Sequence, residues 1–185
     1  KSWEKLCQYT SDSKFTASTT IVGMKLCEQF FPNFYDIQNR KGVSFKSLWS
    51  DPKNLEKILR WNRKSHSTPY LSELKRGIYF CCGLTKNTMF RPHLAKIICD
   101  AHDGTSVLDP CAGWGGRMLG SVASGKKYIG FEPCIETYEN LKRLASYLKL
   151  SNVTLYNDVA ENMNKYDFED VDIILTSPPY FDLEI

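Results

Sequence analysis

The run of residues 105–117, TSVLDPCAGWGGR, decides how the rest of the chain is read. Its first part is a short apolar strand closed by Asp109. Gly113, Gly115 and Gly116 then make a tight turn into a helix, GGRMLGSVASG, that Gly125 stops. Glycines in such a turn permit unusual backbone angles and let a ligand come close to the main chain. A dinucleotide turn is written G-x-G-x-x-G, and here Met118 stands where the third glycine belongs. An acid also precedes the glycines, which suits a cationic ligand better than a pyrophosphate.

Working outward, the same punctuation repeats. Upstream, RPHLAKIICDAHDG (91–104) reads as a helix with Pro92 at its start and Leu94, Ile97 and Ile98 as its apolar positions. Downstream, KYIGFEP (127–133), NVTLYND (152–158) and DVDIILTSPPY (170–180) read as strands. Between the first two lies CIETYENLKRLASYLKL (134–150), an amphipathic helix with Ile135, Tyr138, Leu141, Leu144, Ala145 and Leu148 on one face. Strands alternating with helices predict an α/β fold with right-handed crossovers and a parallel sheet. Ligands of such sheets bind beyond the carboxyl ends of the strands. Asp109, Glu132, Asp158 and Ser177 all fall there.

Each strand end offers its own chemistry. Glu132 can accept hydrogen bonds from the two hydroxyls of a ribose. Asp158 can accept from an adenine amino group while the next backbone N–H donates to the ring. Three acids around one glycine turn describe a pocket for an adenosine with a positively charged tail. At the fourth end, Ser177-Pro178-Pro179 presents acceptor oxygens from a stiff loop, because proline has no N–H and a fixed φ. Tyr180 and Phe181 add flat aromatic faces. Acceptors beside an aromatic plate suit a planar group bearing an NH₂, such as a nucleobase. Stacking on Tyr180 is worth ~1–3 kcal/mol, comparable with the few kcal/mol that extruding a base costs.

The first hundred residues have a different style. SDPKNLEKILRWNRK (50–64) has Ser50 or Asp51 as helix cap and Pro52 in the first turn, and STPYLSELKRGIYFCCG (67–83) has Thr68, Pro69 and a stop at Gly83. TASTTIVGMKLCEQFFPNFY (16–35) is a weaker helix ending before Pro32, and NRKGVS (39–44) is the most linker-like stretch. The net charge of +3 hides an asymmetry: residues 1–100 carry 17 Lys+Arg against 8 Asp+Glu, residues 101–185 carry 7 against 13. A basic half points to a polyanion, with Arg60, Arg63, Lys64, Lys75 and Arg76 as phosphate-facing candidates, against ordinary solvated helix faces as the alternative. No apolar run reaches the ~18 residues of a membrane helix. Seven scattered cysteines without a CxxC pair read as buried thiols in a reducing compartment. The chain of 185 residues starts at Lys1, not Met, and is expected to be cut from a longer product.

VLDPCAGWGG resembles the S-adenosylmethionine-binding motif of amino-directed DNA methyltransferases, and TSPPYF resembles their catalytic D/N/S-P-P-Y/F/W motif. RPHLAKIICDAHDG is similar to the helix that precedes the cofactor motif in that family. The resemblance covers residues 90–185 and implies a Rossmann-like methyltransferase fold, with residues 1–89 as a helical, basic extension. It implies that Arg91 and Pro92 join the cofactor wall. Asp109, Pro110, Cys111, Ala112, Gly113 and Gly115 hold the methionine portion, Glu132 the ribose and Asp158 the adenine. Ser177, Pro178, Pro179 and Tyr180 hold the target base. Cys111 stands where phenylalanine is commoner, and Trp114 where serine is.

The activity implied is methyl transfer from S-adenosylmethionine to cytosine N4 or adenine N6 in DNA, without a metal. Ser177 leans toward cytosine, and the setting is a cytoplasmic, prokaryotic or phage restriction-modification enzyme. An RNA base-amine methyltransferase and a non-catalytic nucleic-acid-binding module are the alternatives. Family sheets have seven strands and four are visible here, so the chain is expected to be truncated, its apolar DIILTS strand needing a further neighbour.

Overall fold

In a computed structural model the described residues are 1–10, 20–65, 68–85, 87–168 and 170–178. Their helices are α1 (Ser2–Cys7), α2 (Met24–Phe30), α3 (Phe45–Trp49), α4 (Pro52–Ser65), α5 (Leu71–Cys82), α6 (Pro92–Asp100), α7 (Gly116–Ala123) and α8 (Ile135–Tyr147). Strands β1 (Ser106–Asp109), β2 (Lys127–Phe131), β3 (Val153–Tyr156) and β4 (Ile173–Ile174) complete the framework, with 3₁₀ turns at Pro32–Asp36 and Ala160–Lys165. Contacts divide these residues into two units, one of 1–31 with 89–178 and one of 32–88. Residues 1–10 and 20–31, grouped with the amino-terminal region by sequence, fall with the sheet.

In the first unit all four strands pair in parallel, in the order β3-β2-β1-β4. This is a Rossmann-like α/β sheet. The chain steps outward from β1 to β2 to β3 and then returns to the other side of β1. The topological switch point therefore lies between β1 and β4, where such sheets open a crevice at their carboxyl ends. Strand alternation sorts the side chains. Leu108, Ile129 and Phe131 form one buried cluster, covered by Tyr156, Met163, Tyr166, Phe168 and Val171. Val107 and Tyr128 are also fully buried. β4 has β1 as its only partner among the described residues, and Ile174 is exposed.

The helices begin and end where local chemistry directs, but their buried faces differ in part from the periodicity. In α6 the buried positions are Pro92, His93, Ala95, Lys96 and Cys99, while Leu94, Ile97 and Ile98 are half-buried. The reason is α7: a Cβ on Gly120 would overlap Ala95 Cβ and the Pro92 carbonyl, so this contact admits only small groups. In α8, Leu141, Leu144 and Ala145 are buried as expected, whereas Ile135 at its first turn is exposed. Among the cysteines, all free, Cys27 and Cys99 are buried but Cys7 and Cys134 are exposed, contrary to the expectation of seven buried thiols. Burial pushes the Cys27 thiol up to about 12.

The second unit is built on α4 and α5. Asp51, of the two cap candidates, receives the Lys53 N–H at 2.9 Å. Gly83 ends α5 with φ +67°, as the sequence predicts, but α5 starts at Leu71 after Tyr70 rather than at Thr68. Its core is Phe45, Ile58 and Ile78, ringed by Tyr35, Leu48, Trp49, Leu74 and Tyr79. No helix of the described residues is long and apolar enough to cross a membrane.

Candidate active site

The turn after β1 is held from beneath. Asp109 is completely buried. Its Oδ2 accepts from Arg117 Nε at 2.7 Å and from the Tyr128 hydroxyl at 2.8 Å, and its Oδ1 from the Cys111 N–H at 3.3 Å. The same guanidinium donates through Nη2 to the Cys111 carbonyl, and to the Ala112 carbonyl at 3.4 Å. Its plane lies 5.3 Å from the centroid of Phe90. Asp109 is thus a positioning residue: it fixes Arg117, and Arg117 fixes the carbonyls of the turn. Removing one partner of such a buried pair costs about 3–5 kcal/mol, because the other charge is left uncompensated.

Two glycines of the turn answer to geometry. Gly113 and Gly115 sit at φ +57° and +75°, in the left-handed region. Around a Cβ on Gly113 the nearest atoms would be the Cys111 carbonyl at 3.8 Å and Arg117 Nη2 at 3.9 Å, so the backbone there is approachable. Ala112 closes the loop by donating its N–H to the Phe131 carbonyl at 2.8 Å. Pro110 and Cys111 are half-buried at the mouth of β1. Upstream, Arg91 is exposed ahead of α6, while Pro92 is buried at its first position.

Glu132 follows β2 and is 8% exposed. Its carboxylate accepts from the Gly113 N–H at 2.9 Å and the Cys134 N–H at 3.0 Å. Burial raises its carboxyl above the ordinary value, and those two N–H donors oppose the rise. Two of about four lone-pair positions are used, leaving room for two hydroxyl donors. Asp158, after β3, is more fully engaged. Its Oδ1 accepts from Asn162 Nδ2 at 2.6 Å and the Val159 N–H at 2.8 Å, its Oδ2 from the Tyr166 hydroxyl at 2.8 Å. The hydrogen bonds from Asn162, Tyr166 and Val159 hold its carboxyl below the ordinary range. The carboxylate and the next N–H, both assigned by sequence to the adenine edge, are here bonded to each other.

β4 delivers the fourth strand end. Its register, Val107↔Ile173 and Leu108↔Ile174, is extended by the Leu175 N–H to the Leu108 carbonyl at 3.0 Å. Asp172 staples its start to β1: Oδ2 accepts from Thr105 N–H at 2.7 Å, Ser106 N–H at 3.0 Å, Ser106 Oγ at 2.9 Å and Thr105 Oγ1 at 3.1 Å. These donors hold the Asp172 carboxyl down at about 2, the Thr105 N–H contributing most. Thr176 follows, its Oγ1 buried without a hydrogen-bond partner among the described residues. Ser177 and Pro178 are exposed beyond it. Pro179 and Tyr180 lie outside the described residues.

The basic candidates belong to the second unit. Arg60, Arg63 and Lys64 are exposed on α4, Arg60 paired with Glu56 at 2.6 Å. Arg76 pairs with Glu73 at 3.4 Å. Lys75 is turned onto Tyr35 instead, its ammonium 3.1 Å from the hydroxyl and 4.8 Å from the ring centroid. Sequence reading missed Arg117 and Tyr128. The signal for both was Asp109 itself, since a carboxylate closing a buried strand requires partners.

No protein-family model and no curated protein matches the chain. Among solved structures the chain is similar to the SAH-bound Podospora anserina methyltransferase PaMTH1, with 11% identity and a TM-score of 0.40. The match covers 89% of this chain and 60% of that one, so the chain spans less than two thirds of that structure's length.

Proposed function

We propose that the chain carries a methyltransferase site that uses S-adenosylmethionine to methylate the exocyclic amine of cytosine or adenine in DNA. The observation that supports this reading best is the pairing of β4 with β1. It sets the exit of Thr176–Pro178 beside the DPCAGWGG turn, at the switch point of the sheet. The residues fit the cofactor: the Gly113 backbone is approachable, and Glu132 keeps unused lone pairs. When bound, S-adenosylmethionine supplies an electrophilic methyl group on a sulfonium.

The chain's own residues do the rest. Glu132 accepts from the ribose hydroxyls, with Asp109 and Arg117 holding the turn in place. Arg91, Pro92 and the run from Pro110 to Gly115 form the wall around the methionine portion. Asp158 takes the adenine edge by exchanging one of its internal hydrogen bonds. Ser177 Oγ and the Pro178 carbonyl accept hydrogen bonds from the N–H groups of the target amine. As positive charge develops on the nitrogen, those fixed dipoles stabilise it. Tyr180 stacks on the base. The basic amino-terminal half supports DNA as the partner.

The test is transfer of labelled methyl to duplex DNA and, in parallel, to structured RNA, followed by digestion to nucleosides. The expected product is N4-methylcytosine or N6-methyladenine from DNA. Ser177→Ala is expected to lower kcat about 10²–10³-fold, the usual loss of one preorganised polar partner. Label in RNA alone would reassign the substrate. Cofactor binding with no transfer to either nucleic acid would make the chain a binding module.

A further inference from the structure

The unit of residues 32–88 carries 11 Lys+Arg against 4 Asp+Glu, a concentration of positive charge in 57 residues. Four of these cations share one stripe. Lys53, Lys57, Arg60 and Lys64 are spaced by four, three and four residues along α4, and all are exposed. At 1.5 Å per residue the stripe runs ~16 Å along the helix. It lies opposite the face that buries Ile58 and Asn62. Beside it, Trp61 falls four residues after Lys57 and three before Lys64, so its indole borders the stripe. Trp61 stacks on Phe80 of α5 with ring centroids 5.9 Å apart and planes 15° apart. Phe80 is nevertheless 67% exposed, and the Arg76 guanidinium lies 5.4 Å from its centroid.

We infer that this face of α4 and α5 binds single-stranded nucleic acid, an unpaired base stacking on Phe80 while the stripe tracks the phosphates. A large, rigid aromatic ring left in water beside a row of cations is what sequence-tolerant single-strand binding requires. A protein partner would leave four aligned cations to be desolvated or matched. A polyanion neutralises them all with its own repeat. Glu56 and Glu73 pair with Arg60 and Arg76, so Lys53, Lys57 and Lys64 are the stripe's main phosphate contacts. The inference shares nucleic acid as partner with the reading above, but its test involves no methyl transfer.

The experiment is fluorescence anisotropy of a labelled oligothymidylate and of a duplex of equal length, titrated with the whole chain. The single strand is expected to bind more tightly. Phe80→Leu is expected to weaken single-strand binding about five- to a hundredfold, the range of one lost base stack, and Phe80→Tyr to restore it. Lys57→Gln with Lys64→Gln is expected to reduce the salt slope by about 1.4, at ~0.7 per phosphate contact. Circular dichroism checks that each variant is folded; Phe80→Tyr serves if Phe80→Leu is not, with retained affinity expected. Equal loss with leucine and tyrosine, preference for the duplex, or no binding would overturn the inference. So would self-association of the chain that Phe80→Leu abolishes without any effect of the oligonucleotide. If single-strand binding follows this pattern and methyl transfer is absent, only the catalytic reading fails. If transfer occurs and Phe80 is indifferent, only this one does.

Discussion

A carboxylate with no solvent exposure has to be neutralised inside the protein, and Asp109 is neutralised by Arg117, with the Tyr128 hydroxyl as a second side-chain partner. Arg117→Met is therefore expected to cost about 3–5 kcal/mol in urea unfolding. Adding Asp109→Asn to it is expected to recover part of that loss, because no unpaired charge then remains. Glu132 makes a pH prediction. Burial raises its carboxyl, so between the unfolded and folded values the native state holds more protons. Stability then falls as pH rises through that window and is level above it. The ribose recognition proposed for Glu132 needs the ionised form. Calorimetry is expected to show S-adenosylmethionine affinity rising with pH through the same window. Glu132→Gln is expected to flatten that profile and weaken binding by about 1.5–3 kcal/mol, the value of a charge-assisted hydrogen bond.

At the scale of the element, β4 is a strand of two residues, too short to be held by its ladder alone. The Asp172 carboxylate, with four donors from Thr105 and Ser106, supplies what the ladder lacks. Its carboxyl lies at about 2 when folded, below its value in the unfolded chain. The stability it contributes is present in full above the unfolded value and is lost as pH falls through about 2. Asp172→Asn is expected to flatten the acid limb of the stability profile between about pH 4 and 2. It is also expected to speed hydrogen exchange at the Leu175 amide, which closes on Leu108. Unchanged exchange there would mean that β4 is held some other way. On the proposed function, which gives Ser177 and Pro178 to the target base, this docking is a condition for methyl transfer.

For the whole molecule, the glycine turn depends on residues far from it in the chain. Phe31 is fully buried, and a Cβ on Gly115 would lie 3.1 Å from its ring. It also meets Trp114 edge-on, centroids 6.1 Å apart. Phe31→Ala is expected to cost about 3–5 kcal/mol in thermal unfolding, as for other large-to-small core changes, and to loosen the glycine turn in the same step. A variant with native stability would show that Phe31 does not support the turn.

The alternation of strands and helices, the parallel sheet and the fall of Asp109, Glu132, Asp158 and Ser177 just past strand ends were legible in the amino-acid order. Periodicity, Gly punctuation and Pro stiffness act over a few residues, and a βαβ chain then has few ways to close. Asp51 as a cap and Gly83 as a stop were legible for the same reason. Only the tertiary structure decided that Asp109 points beneath the turn, because Arg117 and Tyr128 stand 8 and 19 residues further on. It alone turned Lys75 onto Tyr35, 40 residues away, bonded Asp158 to its own neighbours, and placed Ala95 rather than Leu94 at the face of α6 that meets Gly120. Which side of an element is buried, and which acid is free to meet a ligand, depends on what packs there, and no local pattern carries that information.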